Sequence, residues 1–303
     1  MLVNHSAQNG GLPLAKDKDV SIIICTRNRA KGLKEALQHW TKVNRDHLRE
    51  IILVDNGSTD DTSDVIQSAA EFSDLPIFPV YEKKPGLAAA RNAGIEVATG
   101  KIIGFTDDDC YPDPGYVTSL HTTFNAHPNI SFLGGRILLH DPADLPITIK
   151  TELKTEQIRS FGAPMAGVIH GANMAMRRQA LLRAGDFDEC FGAGSELMSA
   201  EDTEMIARLC WCGFSGMYSP EPLVYHHHGR RTLGEKTKLL NGYAIGRGAY
   251  YMKYILNPNS RWIFVRSWVR QLLKSPSVNH LKEIKGAIAY LRVHIQRIQS
   301  EKC

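Results

Sequence analysis

The sequence predicts an α/β protein built on a doubly wound, mostly parallel sheet with a helical C-terminal extension. Short apolar runs rich in β-branched residues alternate with segments of helical period in the first part of the chain. Each run stops at a polar cluster, the edge at which open parallel sheets bind their ligands. The end of the chain shows helical spacings only.

The elements follow in order. VSIIIC at 20–25 is continuously apolar, as a strand buried on both faces requires, and it ends at Thr26, Arg27 and Asn28. Residues 30–40 place Leu33, Ala36, Leu37 and Trp40 on one helical face, and EIILV at 50–54 gives a second strand ending at Asp55. Strand, helix and strand in so short a span imply a parallel pair. The turn DNGSTDD carries helix-starting chemistry, so 62–72 reads as a helix and 77–81 as a third strand. Residues 87–98 are Ala-rich and favour a helix, and KIIGFT at 101–106 runs as a strand into Asp107, Asp108 and Asp109. Beyond them, prolines at 112, 114, 128, 142, 146 and 164 predict a loop-rich middle. A strand at 171–178, a helix at 201–212, a turn at 219–222 and a short strand at 223–225 follow. In the tail, 261–274 sets Arg266, Arg270 and Lys274 opposite Trp262, Val265, Val269 and Leu272, an amphipathic cationic helix. Leu281, Ile284, Ile288, Leu291, Ile295 and Ile298 form a narrow apolar seam that calls for a partner helix or the protein body.

Composition excludes whole classes. With 303 residues, 43% hydrophobic and 22% charged, the chain is too large for a disulfide-stapled miniprotein and too apolar for a disordered one. Six cysteines without a paired CxxC spacing fit reduced thiols in a cytosol. No apolar run approaches the roughly 18 residues that span a bilayer. The net charge of +4 divides unevenly: from His226 onward there are 15 basic residues against 3 acidic ones, so an acidic body carries a basic tail. Such a tail favours phosphate groups on a nucleotide, a lipid headgroup or a nucleic acid.

Three groups of residues can do chemistry. If 107–109 is extended, Asp107 and Asp109 project to one side and Asp108 to the other. Two carboxylates facing one cleft suit Mg²⁺ or Mn²⁺, although an acidic surface turn would read the same. Asp202 opens the helix at 201 as either a proton acceptor or the reciprocal acid of a capping box with Ser199. Of His226, His227 and His228, one imidazole could complete a metal site or touch a phosphate. Cys210 and Cys212 lie on different faces of their helix and read as packing.

VSIIICTRNR, EIILVDNGSTDDT, GLAAARNAGIEVATGKIIGFTDDDC, HGANMAMRR, GDFDECFGAG, SAEDTEMIARLCWCGF and PEPLVYHHH, in that order, resemble the family 2 nucleotide-sugar glycosyltransferases of the GT-A fold. The resemblance runs from about Val20 to about Arg231. It implies that Thr26 and Asp55 hold the nucleobase and ribose, with Arg27, Arg91, Asp108 and Glu201 also on the donor side. It puts Asp107 near the ribose and the metal, Asp109 on the metal, and His226 near metal and diphosphate. Gly171 and Ala172 would lie against the donor sugar, and Asp202 would be the general base. The implied cofactor is Mn²⁺ or Mg²⁺, and the implied reaction is inverting transfer from a nucleoside-diphosphate sugar, UDP favoured, to a saccharide or lipid-linked acceptor in surface polysaccharide assembly. An inactive sugar-nucleotide-binding subunit of the same fold is the alternative.

The expected organisation is a flexible leader at 1–18, a catalytic domain at 19–231 divided near 110, and a basic helical extension at 232–303. The protein is expected in the cytoplasm. Its tail would rest peripherally on the cytoplasmic face of the membrane, on the body, or on a second copy in a homodimer. No nucleic-acid-binding module is apparent in the tail.

Overall fold

The computed structural model describes residues 18–274 and 280–300. The leader, Cys303 and the junction of the two tail patterns therefore lie outside the described residues, save Lys18 in the leader.

The first half matches its sequence pattern closely. Strand β1 (Val20–Thr26) is followed by α1 (Ala30–Trp40), β2 (Leu48–Asp55), α2 (Thr62–Phe72), β3 (Ile77–Tyr81), α3 (Leu87–Val97) and β4 (Ile102–Asp107). β1 pairs in parallel with β2 on one side and β4 on the other, and β2 pairs in parallel with β3. Alternation along β1 sends Ile22 and Ile24 into one core with Leu33, Leu37 and Trp40 of α1, and Ile23 into another with Ala90 of α3. Both faces are covered, which is why the run is apolar throughout. Register places Asp55 beside Thr26, and Asp107 beside Cys25.

The second half holds more regular structure than its prolines suggest. It contains β5 (Cys110–Pro112), α4 (Tyr116–Ala126), β6 (Ile130–Leu139), β7 (Glu156–Ile158), β8 (Asn173–Arg177), α5 (Arg178–Ala184), α6 (Glu201–Trp211) and β9 (Ser215–His226). The described strands form one sheet in the order β3-β2-β1-β4-β8-β6-β9-β5, with β7 on β9. β8 runs antiparallel to β4 and β6, so the sheet is mixed beyond β4. The expected turn at 219–222 lies inside β9. Its pairing with β6 shifts register between Gly134 and Arg136, and that irregularity accommodates Pro220 and Pro222 without ending the strand.

The extension consists of α7 (Leu233–Leu256), α8 (Arg261–Lys274) and α9 (His280–Ser300). α7 starts with a capping box between Thr232 and Glu235. Its glycines hide it from propensity, yet they serve packing: a Cβ on Gly248 would stand 1.8 Å from the Glu283 carbonyl oxygen of α9. α9 buries Glu283, Gly286, Ala287, Tyr290 and Val293. The apolar seam is not packed on the body: Leu281, Ile284, Ile288 and Ile295 are exposed in the single chain. α8 packs on α7 through aromatic residues and keeps an apolar face outside. Phe264 and Trp268 stack on Tyr254 and Tyr251 of α7, and Trp262, Val269 and Leu273 remain outside beside Arg266 and Arg270.

Candidate active site

The carboxyl ends of β1 and β4 open onto a cavity of about 430 Å³. It lies where strand order reverses around β1, the place at which open α/β sheets bind ligands. Arg91, Asp107, Asp108, Asp109, Gly171, Ala172, Glu201, Asp202 and His226 all line it. Thr26, Arg27 and Asp55 do not. Thr26 is buried and donates its hydroxyl to Asp108 at 2.5 Å. Asp55 closes its own turn, accepting from the Ser58 amide at 2.8 Å and from the Ser63 hydroxyl. Arg27 is exposed at the strand end.

Asp107 and Asp109 converge, but not through strand alternation. β4 ends at Asp107, and Asp108 and Asp109 form the tight turn into β5. That turn directs Asp108 toward Thr26 and Arg29, while Asp109 meets His226 Nε2 at 3.3 Å and Arg29 Nη2 at 3.0 Å. Burial and the neighbouring Asp109 raise the Asp107 carboxyl, although Arg91 at 3.8 Å opposes this. Burial also pushes Asp108 up to about 6 against the pull of Arg29. Asp109 shows the opposite balance: burial would raise it, but His226 and Arg29 hold it below the usual carboxylate range.

Ligand atoms of Asp107, Asp109, Cys110 and His226 lie within 4.8 Å of one another. Two carboxylates and an imidazole suit a hard divalent cation. The Cys110 thiol is wholly buried, and its soft sulfur suits a hard cation less well than the carboxylates do. His226 is the member of the triple histidine that reaches this set. His228 is turned toward the Leu145 carbonyl at 2.9 Å, and His227 packs near Tyr111 and His140.

In the same cavity, Asp202 accepts hydrogen bonds from the Gly171 amide at 2.8 Å and the Thr203 amide at 2.6 Å. The capping-box alternative does not hold. The residue before α6 is Ala200 in a left-handed conformation, and the Ser199 hydroxyl donates to the Gly242 carbonyl of α7. Glu201 is buried against Arg91 at 2.8 Å. A Cβ on Gly171 would stand 2.5 Å from Arg91 Nη2, so a larger residue there would displace the guanidinium. Thr148, Met198 and Ala200 all line the cavity with positive φ, so backbone strain gathers at this site.

Several lining residues escaped the sequence reading: Thr148, His170, Arg230, and Leu239, Tyr243 and Arg247 of α7. The extension thus forms one wall of the cavity. Arg29, which grips two of the three aspartates, had only its place just beyond a strand end as a signal.

The mixed sheet opens this acidic cleft at its switch point, a layout similar to that of the GT-A fold. Residues 21–184 match the family model described as glycosyl transferase family 2, and the chain belongs to that family. It is 25% identical over 231 residues to glycosyltransferase AglE of Haloferax volcanii, an alignment covering 76% of this chain and 72% of that one. It is 26% identical over 219 residues to the pre-mycofactocin glycosyltransferase of Mycobacterium tuberculosis, covering 70% of this chain and 43% of the relative. Among solved structures it is similar to the mannosyltransferase PcManGT from Pyrobaculum calidifontis, determined in complex with GDP-Man and Mn²⁺. The TM-score is 0.62 at 20% identity, covering 95% of this chain and 79% of that one.

Proposed function

We propose that the protein transfers a sugar from a nucleoside-diphosphate donor to a hydroxyl of a saccharide or lipid-linked acceptor, with inversion. The observation that carries this reading is the single cavity lined by Asp107, Asp109, His226 and Asp202 together. The acceptor hydroxyl attacks the anomeric carbon as the bond to the diphosphate breaks, and its proton passes to Asp202. The Gly171 and Thr203 amides hold that carboxylate in place. Asp107, Asp109 and His226 would hold a divalent cation, Mn²⁺ or Mg²⁺, which when bound counters charge developing on the leaving diphosphate. Arg91 supports the site by fixing Glu201 beside Asp202, while Arg29 partly neutralises Asp108 and Asp109.

The experiment is a panel of UDP, GDP and dTDP sugars with Mn²⁺ or Mg²⁺ and lipid-linked and free saccharide acceptors. UDP is the carrier we favour, and polysaccharide assembly the setting. Donor binding without turnover on any acceptor would favour the inactive, sugar-nucleotide-binding subunit.

The tail supports a peripheral position on the cytoplasmic face of a membrane. No helix among the described residues is long and apolar enough to cross one. α8 leaves Trp262, Val269 and Leu273 exposed beside Arg266 and Arg270, the mix of aromatic, apolar and cationic groups that suits anionic headgroups. Two such faces from two copies would bring arginines together, which favours the lipid surface over self-association.

A further inference from the structure

Thr148 touches both the proposed cation set and the extension. Its carbonyl oxygen lies 3.3 Å from His226 Nδ1, and its hydroxyl shares a 2.9 Å hydrogen bond with the Tyr243 hydroxyl of α7. We propose that Thr148 and Tyr243 are positioning residues for His226, fixing which imidazole nitrogen faces Asp109. The proposal rests on reading Asp107, Asp109 and His226 as cation ligands.

The imidazole of His226 is buried and can present either nitrogen to Asp109. A backbone carbonyl opposite Nδ1 selects one arrangement: Nδ1–H donates to Thr148, leaving Nε2 toward Asp109. The carbonyl must therefore be held. Thr148 has φ 54°, a left-handed conformation that a β-branched residue adopts only where its surroundings impose it. Three ties impose it here. Before Thr148, the Ile147 amide donates to Leu145 at 2.7 Å and the Ile147 side chain is buried. After it, Lys150 exchanges backbone hydrogen bonds with Ile137 of β6 at 2.8 and 2.9 Å. The remaining tie is the side-chain bond to Tyr243, the only one of the three that comes from the extension. Tyr243 lies beyond the 21–184 segment that the family model matches, so the extension would set cation affinity through this hydroxyl pair.

The test is Mn²⁺ binding to the full-length protein without donor, read from the electron paramagnetic resonance of free Mn²⁺. His226→Ala should weaken binding sharply. Thr148→Val and Tyr243→Phe, which keep shape and remove one hydroxyl, should each weaken it toward the ~10-fold end of outer-shell effects. Thr148→Ser, which keeps the hydroxyl, should stay within about twofold of wild type, well short of such an effect. Wild-type affinity in both Thr148→Val and Tyr243→Phe would overturn the proposal, as would Thr148→Ser binding as weakly as Thr148→Val. Wild-type affinity in His226→Ala would remove the cation reading itself and the proposal with it.

Discussion

Arg91 Nη1 lies 2.8 Å from Glu201 Oε1 in the lining of the cavity, and both side chains are almost wholly withdrawn from water. The guanidinium also faces Asp107 at 3.8 Å and the rings of Phe105 and Phe187 at 6.0 and 5.5 Å. This pair joins α3 to α6, and so fixes the helix start that carries Asp202. Removing one partner leaves the other charge buried and alone. Arg91→Met should lower unfolding free energy by about 3–5 kcal/mol, measured by denaturant titration. Arg91→Met combined with Glu201→Gln should recover part of that loss. A loss in Arg91→Met below about 1 kcal/mol, the scale of an exposed pair, would contradict the pair's structural role.

A second ion-pair group ties the end of α9 to the body, with its own acid sensitivity. Asp188 accepts from Arg297 at 2.6 Å and from Lys253 at 2.7 Å. Burial would raise this carboxyl, but Arg297 and Lys253 overcome it and hold it well below the usual range. A depressed folded pKa contributes stability that is present above the unfolded value, about 3.9, and lost as pH falls through the folded one. Wild type should therefore lose more stability than Asp188→Asn between pH 7 and about pH 3, measured by urea midpoints. Parallel curves for the two proteins would contradict the assignment.

The outward face of α8 predicts lipid binding. Vesicles containing anionic lipid should carry wild-type protein to the top of a flotation gradient, and neutral vesicles should carry much less. Trp262→Glu with Leu273→Glu should abolish flotation without altering the fold, since both side chains are exposed. Equal flotation of wild type and double variant would place any membrane contact elsewhere.

How far the chain announces this structure differs between its halves. β1, α1, β2 and α2 are legible because each buries an apolar set with one clear period, and the polar ends of the strands fall at the ligand-binding edge of the sheet. β6 and β9 are not, because glycines and prolines interrupt runs that a register shift keeps paired. α7 is hidden by glycines that its partners require. The amphipathic faces of α8 and α9 are visible, but the residues that pack these helices on the body are not. Their buried contacts are made by aromatic and small residues, which a count of aliphatic spacings overlooks. At the site, the motif carboxylates and His226 are recognisable from order along the chain. Thr148, Arg230 and Tyr243 come to the cavity only through tertiary packing, and no local pattern marks them.

The account stands most directly on the transfer rate of Asp202→Asn at saturating donor and Mn²⁺. The variant keeps the shape of the side chain and removes its capacity to take a proton, so the rate should fall by about 10²–10⁴-fold while donor and Mn²⁺ affinities stay near wild type. A variant that transfers sugar as fast as wild type would show that the proton goes elsewhere.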